Sequence, residues 1–123
     1  MTRTPLLTAA ALAAGLALAA PALAGSTATA TPLAGTVGPG FTITLAKAGK
    51  PVKTLKSGAY KITVADKSTS HNFHILGPGV NKEITTVPFK GSKSVTVTLK
   101  KGKYTIQCDP HAAQGMKSTF TVS

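Results

Sequence analysis

The chain is poor in several residue types, and each shortage excludes a class of protein. Its 123 residues include one cysteine, no tryptophan and only 3 acidic residues against 14 Lys and Arg, which gives a formal charge of +11. A single cysteine cannot form an internal disulfide, so a disulfide-stapled mini-protein is excluded. Three acidic residues leave little room for the carboxylate pair of a glycosidase. Glycine and proline, at 12 and 8 residues, fall short of a collagen-like or low-complexity chain.

The first 24 residues are typical of a secretory signal. Arg3 supplies a positive start, Leu6 to Ala20 is mostly apolar, and Ala22-Leu23-Ala24 has the small-x-small pattern of a cleavage site. The apolar run is shorter than the roughly 20 residues that span a bilayer, so a membrane anchor is the weaker interpretation. We expect residues 1–24 to be removed and the protein to be periplasmic or extracellular. A lone thiol there would be exposed to oxidation unless something, such as a metal, occupies it.

Period-two alternation of apolar and polar residues dominates the rest of the chain. Residues 25–40 are small, polar and rich in Gly and Pro, which predicts a flexible lead-in with a possible first strand around Leu33 to Val37. Residues 41–123 form the predicted single domain. Its alternating apolar positions, expected to face a core, are Phe41, Ile43, Leu45, Tyr60, Ile62, Val64, Val95, Val97, Leu99, Tyr104, Ile106, Phe120 and Val122. The sequence predicts an all-β sandwich or barrel of six to eight strands.

Soft metal-ligating side chains are concentrated near the C-terminus. Cys108, His111 and Met116 offer a thiolate, an imidazole and a thioether within one short loop. Blue copper proteins bind their metal through two His, one Cys and a weakly bound axial Met. A second imidazole from elsewhere in the chain would complete this set. Cys108 has the parity of the apolar positions in its strand, so its sulfur should point inward. Zinc is the weaker alternative, because a thioether is a poor zinc ligand.

Two upstream histidines could supply the fourth ligand. His71 shares a strand face with the apolar residues Phe73 and Ile75, whereas His74 shares a face with Asn72. Because alternate residues of a strand point to opposite faces, parity favours His71 as the inward ligand and leaves His74 at the surface. Asn72 could then hydrogen-bond to the loop that carries the cysteine and orient the ligands.

These motifs resemble those of the plastocyanin-like cupredoxins, the small type 1 blue copper proteins. Their copper loop has Cys, then Pro-His, then Gly-Met, as in Cys108, Pro110-His111 and Gly115-Met116, and their upstream ligand is the His of a His-Asn pair, as in His71-Asn72. The resemblance covers roughly residues 41–123. It implies a Greek-key β-sandwich with copper near one end, cycling between Cu(I) and Cu(II).

The resemblance further implies a one-electron carrier between redox partners. Electrons would pass through His111 and a docking patch that it forms with Pro110, Ala112 and Ala113. Asp109, beside the cysteine, would favour Cu(II). The chain departs from plastocyanins proper at Gln107, where they carry an aromatic residue, and it lacks the acidic surface of the plant proteins.

The sequence is also compatible with other functions. An extracytoplasmic protein that binds and delivers copper could use the same ligands, although the chain has no Met-rich or His-rich tract, and a metal-free cupredoxin is a third possibility. Four ligands leave no open coordination position, so we expect no enzyme activity.

Without Arg3 the charge is +10, which favours an acidic partner. We expect a monomer that does not bind nucleic acid, since no arginine remains and basic residues are not interleaved with aromatics.

Overall fold

The computed structural model describes residues 29–123, so the predicted signal lies outside the described residues. This part of the chain contains ten strands. They are β1 (Thr31–Val37), β2 (Ile43–Lys47), β3 (Lys50–Pro51), β4 (Thr54–Leu55), β5 (Gly58–Asp66), β6 (Phe73–Gly77), β7 (Val80–Thr85), β8 (Gly91–Leu99), β9 (Gly102–Gln107) and β10 (Lys117–Val122). A 3₁₀ helix, Asp109–Gln114, joins β9 to β10. No helix within residues 29–123 is long and apolar enough to cross a membrane.

The strands form two five-stranded sheets, in the orders β3-β2-β1-β5-β8 and β4-β10-β9-β6-β7. The predicted all-β sandwich is confirmed. The strand count exceeds six to eight because β3 and β4 are two-residue strands that alternation cannot detect. The segment for which the sequence left open a first strand forms β1, which pairs in parallel with β5.

The core lies between the two sheets and follows the predicted alternation except in β8, at Phe41 and at Ile43, which is half-buried. Tyr60, Ile62 and Val64 of β5 are buried, as are the alternating residues of β9 and β10. Val95 and Val97 are only half-buried, because β8 lies at the edge of its sheet. Phe41 was expected in the core, but β2 begins two residues later and the Phe41 side chain is 64% exposed.

The antiparallel pairing of β6 with β9 determines which loops meet. Ile75 lies opposite Ile106, and His74 lies opposite Gln107. The residues that precede β6 and those that follow β9 therefore share one end of the sandwich. All of the predicted ligands fall in these two segments.

A buried tyrosine fixes β6 against β9 at the other end. The Tyr104 hydroxyl accepts a hydrogen bond from the backbone N–H of Lys100 (2.9 Å) and donates one to the carbonyl of Pro78 (2.8 Å). Its ring stacks on Phe120 with centroids 5.4 Å apart. The ring also fills the space beside Gly77, where a Cβ atom would overlap it. Gly77 is therefore required for this close approach and not for backbone flexibility.

Gly77→Ala should lower the free energy of unfolding by about 1–3 kcal/mol, the usual cost of overpacking a close-packed core. Urea unfolding measures the effect as a lower midpoint with an unchanged slope. Gly40→Ala is the matched control, because a Cβ atom at Gly40 meets nothing within 4 Å. Equal stability of the two variants would contradict the proposed role of Gly77.

Candidate metal centre

Three ligand atoms converge at the end of the sandwich where β6 begins and β9 ends. The Nδ1 atoms of His71 and His111 lie 3.0 Å apart, and the Cys108 Sγ lies 3.6 Å from the first and 3.4 Å from the second. They are the only group of at least three His, Cys, Asp or Glu ligand atoms in residues 29–123 that is arranged to hold a metal ion. His74, which parity assigned to the surface, is not part of it.

The short helix after Cys108 returns the chain to the cysteine. Pro110 lies in its first turn, and Gly115 ends it in a left-handed conformation at φ 90°. The backbone N–H of Met116 then donates to the His111 carbonyl (3.2 Å), and the Cys108 N–H donates to the Met116 carbonyl (3.0 Å). Met116 is thus held beside Cys108, with its side chain buried. The segment between Cys108 and Met116 is thus helical, which the sequence did not indicate.

Asn72 and Asp109 join the two segments that carry the ligands. The Asn72 Oδ1 accepts a hydrogen bond from the backbone N–H of Asp109 (2.7 Å), and the Asn72 Nδ2 donates to the Asp109 Oδ2 (2.9 Å). The expected contact between Asn72 and the cysteine loop is therefore present, with Asp109 as its partner. Each of these residues directly follows a ligand, so the pair fixes His71 and Cys108 relative to each other.

Asp109 also receives contacts that the sequence did not predict. Gln107 Nε2 donates to its Oδ1 (2.8 Å), and His74 Nδ1 lies 2.9 Å from its Oδ2. The other ring nitrogen of His74 faces the side-chain oxygen of Asn81. Gln107 thus has a structural partner at the position where plastocyanins proper carry an aromatic residue. No sequence pattern reports such contacts, because the His74 contact joins segments 35 residues apart and the Gln107 contact depends on how the chain turns after β9.

These contacts shift two pKa values in opposite directions. Burial alone would lower the pKa of His74, but hydrogen bonds to Asn81 and Asp109 and the charges of Asp109 and Glu83 raise it above 6.5. Burial alone would raise the pKa of Asp109, but hydrogen bonds from Gln107, Asn72 and His74 lower it below 3.8. Both ring nitrogens of His74 face oxygen atoms, so the protonated ring is the form that the site satisfies.

The ligands differ in their access to solvent. His71, Cys108 and Met116 are buried, whereas His111 is half-buried at the surface. The rest of the predicted docking patch surrounds His111: Pro110 and Ala113 are exposed, and Ala112 is half-buried. His111 is therefore the ligand that is most accessible from solvent.

Phe41 is a neighbour of the site that sequence reasoning missed. Its ring centroid lies 4.6 Å from that of His111 and 5.5 Å from that of His71, and both contacts are edge-to-face. Parity placed Phe41 on the inward side of β2, but parity does not show where a strand begins. The available signal was the turn sequence Gly38-Pro39-Gly40 directly before it.

The donor atoms suit copper. The point equidistant from the three atoms lies about 2 Å from each, the length of a bond from a first-row metal ion to imidazole nitrogen. Two imidazoles and one thiolate in a plane, with a thioether nearby, form the ligand set of type 1 copper. A zinc site would leave the thioether without a role, because the usual protein ligands of zinc are Cys sulfur, His nitrogen and carboxylate oxygen.

A family model and several solved structures match this chain. A family model described as copper binding proteins, plastocyanin/azurin family, matches residues 49–123. Reduced rusticyanin is similar in structure, with a TM-score of 0.53 and 24% identity over 75% of this chain and 78% of that chain. A Met-to-Leu variant of rusticyanin gives 0.55 and 21% over 75% and 76%. A variant of oxidised amicyanin gives 0.46 and 17% over 73% and 80%. The rusticyanin structures share the fold of this chain. No curated protein matches it.

A matched pair of substitutions tests which histidine binds the metal, His71 before β6 or His74 within it. His71→Gln should reduce Cu(II) affinity by more than about 100-fold, because it removes a ligand, whereas His74→Gln alters only outer contacts, whose loss costs about 10–100-fold at most. Calorimetric titration with Cu(II) measures both affinities. A larger loss for His74→Gln would contradict the assignment.

Proposed function

Because the chain belongs to the plastocyanin/azurin family of copper-binding proteins, as its motifs predicted, we propose that it is an exported one-electron carrier. His71, Cys108, His111 and Met116 are positioned as a type 1 copper site. The observation that carries the proposal is the convergence of two imidazole nitrogens and one thiolate within 3.6 Å of one another. Copper bound there would supply a Cu(I)/Cu(II) couple.

The surrounding residues favour electron exchange over chemistry on a substrate. The four ligand residues leave no open coordination position, which supports the expectation that the protein is not an enzyme. Asn72 and Asp109 hold the two ligand segments together and restrict their movement. A carrier needs such rigidity, because every change of ligand geometry between two oxidation states slows the exchange of an electron. The ionised Asp109, next to Cys108, favours the more positive ion.

The docking surface in this proposal is the patch of Pro110, His111, Ala112 and Ala113. Three exposed lysines lie at the same end of the sandwich: Lys67 directly after β5, Lys90 directly before β8, and Lys117 at the start of β10. A small apolar patch with surrounding positive charge fits a redox protein that presents an acidic surface. The proposed carrier is a monomer that reaches such a partner outside the cytoplasm.

The first test concerns the metal and its retention. The purified protein with Cu(II) should show an intense visible thiolate-to-copper band, and Cys108→Ser should lose it because the thiolate is removed. The copper should remain bound through repeated reduction and oxidation in the presence of a Cu(I) chelator. A colourless protein would contradict a type 1 site. A blue protein that releases its copper on the first reduction would favour the alternative, copper delivery.

The second test concerns the charge around the docking patch. Oxidation of the reduced protein by an anionic metal complex should slow as ionic strength rises, because the salt screens attraction to the lysines. Lys67→Glu with Lys117→Glu should slow it at low salt. Lys103→Glu, at the other end of β9, is the control and should have little effect. Equal effects at both ends would contradict docking at the patch.

A further inference from the structure

The Phe41 ring is used neither by the core nor by the proposed docking patch. It is the one large apolar side chain within residues 29–123 that is mostly exposed. A hydrophobic side chain in such a position contributes little stabilising free energy unless it removes apolar surface from water by packing on another group. The contacts of Phe41 are with two metal ligands.

Three rings form a closed cluster at the end of the sandwich. Phe41 meets His111 at an interplanar angle of 81° and His71 at 66°, and the two histidines meet each other at 72° with centroids 4.8 Å apart. Edge-to-face pairs at these separations are the favoured arrangement of aromatic rings. Each ring therefore restricts the rotation of the other two.

The two histidines depend on this cluster to different degrees. His71 is buried, and Gly38 approaches it so closely that a Cβ atom there would lie 3.2 Å from its Cδ2. His111 is half-buried on a six-residue 3₁₀ helix that has no buried residue. The packing that orients His111 thus comes from the rings of His71 and Phe41, together with its contact to Cys108.

The loop that carries Phe41 is itself fixed. Gly38 adopts a left-handed conformation at φ 74°, and its N–H donates to the Thr42 carbonyl (2.9 Å) across the turn. β1 and β2 are paired on either side of it. The Phe41 backbone is thus anchored to the first sheet, whereas His111 belongs to the loop of the second.

We propose that Phe41 is a positioning residue for the metal centre: its ring holds the His111 imidazole with Nδ1 directed at Cys108 Sγ and shields that imidazole from water. The part of this inference that concerns copper rests on the proposed function, whereas the part that concerns the ring holds in the metal-free protein. Phe41 is neither a ligand nor part of the core. Its removal should therefore alter the metal site without altering the fold.

Three variants of the full protein test the inference. Phe41→Ala removes the ring, Phe41→Leu keeps apolar volume without an aromatic edge, and Phe89→Ala is a matched control whose ring lies under Lys93 and not against the histidines. In the metal-free protein, nuclear Overhauser contacts between the His111 ring and Cys108 should be present in the parent and in Phe89→Ala. They should be lost in Phe41→Ala and weakened in Phe41→Leu.

The copper-loaded protein provides an independent measurement. Copper release to a chelator should be about tenfold faster in Phe41→Ala than in the parent, because two edge-to-face contacts are lost. The thiolate-to-copper band should shift in Phe41→Ala and not in Phe89→Ala.

Parent-like His111 contacts and parent-like release in both Phe41 variants would overturn the inference. A parent protein without the visible band would instead contradict the proposed function, and the metal-free measurement would still decide the role of Phe41. If Phe41→Ala fails to fold, Phe41→Leu carries both measurements.

Discussion

The metal centre depends on the pair of hydrogen bonds between Asn72 and Asp109. These residues are 37 positions apart in the chain, and each directly follows a ligand, His71 or Cys108. One amide side chain both donates and accepts, so it fixes the distance between the two segments and also their relative rotation. One of the two bonds ends on a carboxylate, and such charge-assisted bonds are stronger than neutral ones. The two bonds thus hold His71 and Cys108 in place through the residues that follow them.

This pair of bonds can form only because the strands bring its two halves together. β6 and β9 are antiparallel neighbours, so the start of one and the end of the other reach the same end of the sandwich. At the opposite end the ring of Tyr104 lies directly against Gly77 and fixes the same two strands. Core packing therefore sets the position of the ligand segments to within a residue, and polar contacts set the final geometry. The site is rigid because core packing and the polar contacts place the ligand segments in the same arrangement.

Much of this could be read from the sequence, because strand parity has a physical basis. Alternate side chains face opposite sides of a sheet, and that rule separated His71 from His74 in the sequence. The rule was wrong for Asn72, which it placed outward with His74: β6 begins only at Phe73, and Asn72 is buried in the segment before it. Parity does not show where a strand begins or how deep a residue lies, so Phe41 was assigned to the core although its ring lies against His71 and His111. The six residues of the 3₁₀ helix, Asp109–Gln114, are too few to establish a helical period. The contacts of Asp109 with Gln107 arise from the folded loop.

Every functional inference above depends on the proposed binding of a single copper ion by one thiolate and two imidazoles at the end of the β-sandwich. Cys108 is buried, and its Sγ lies 3.6 Å from the Nδ1 of His71 and 3.4 Å from that of His111. X-ray absorption at the copper edge tests the claim directly, because it counts the atoms bound to the metal in solution. We expect one short bond to sulfur and two to nitrogen. Copper bound only by nitrogen and oxygen would contradict it.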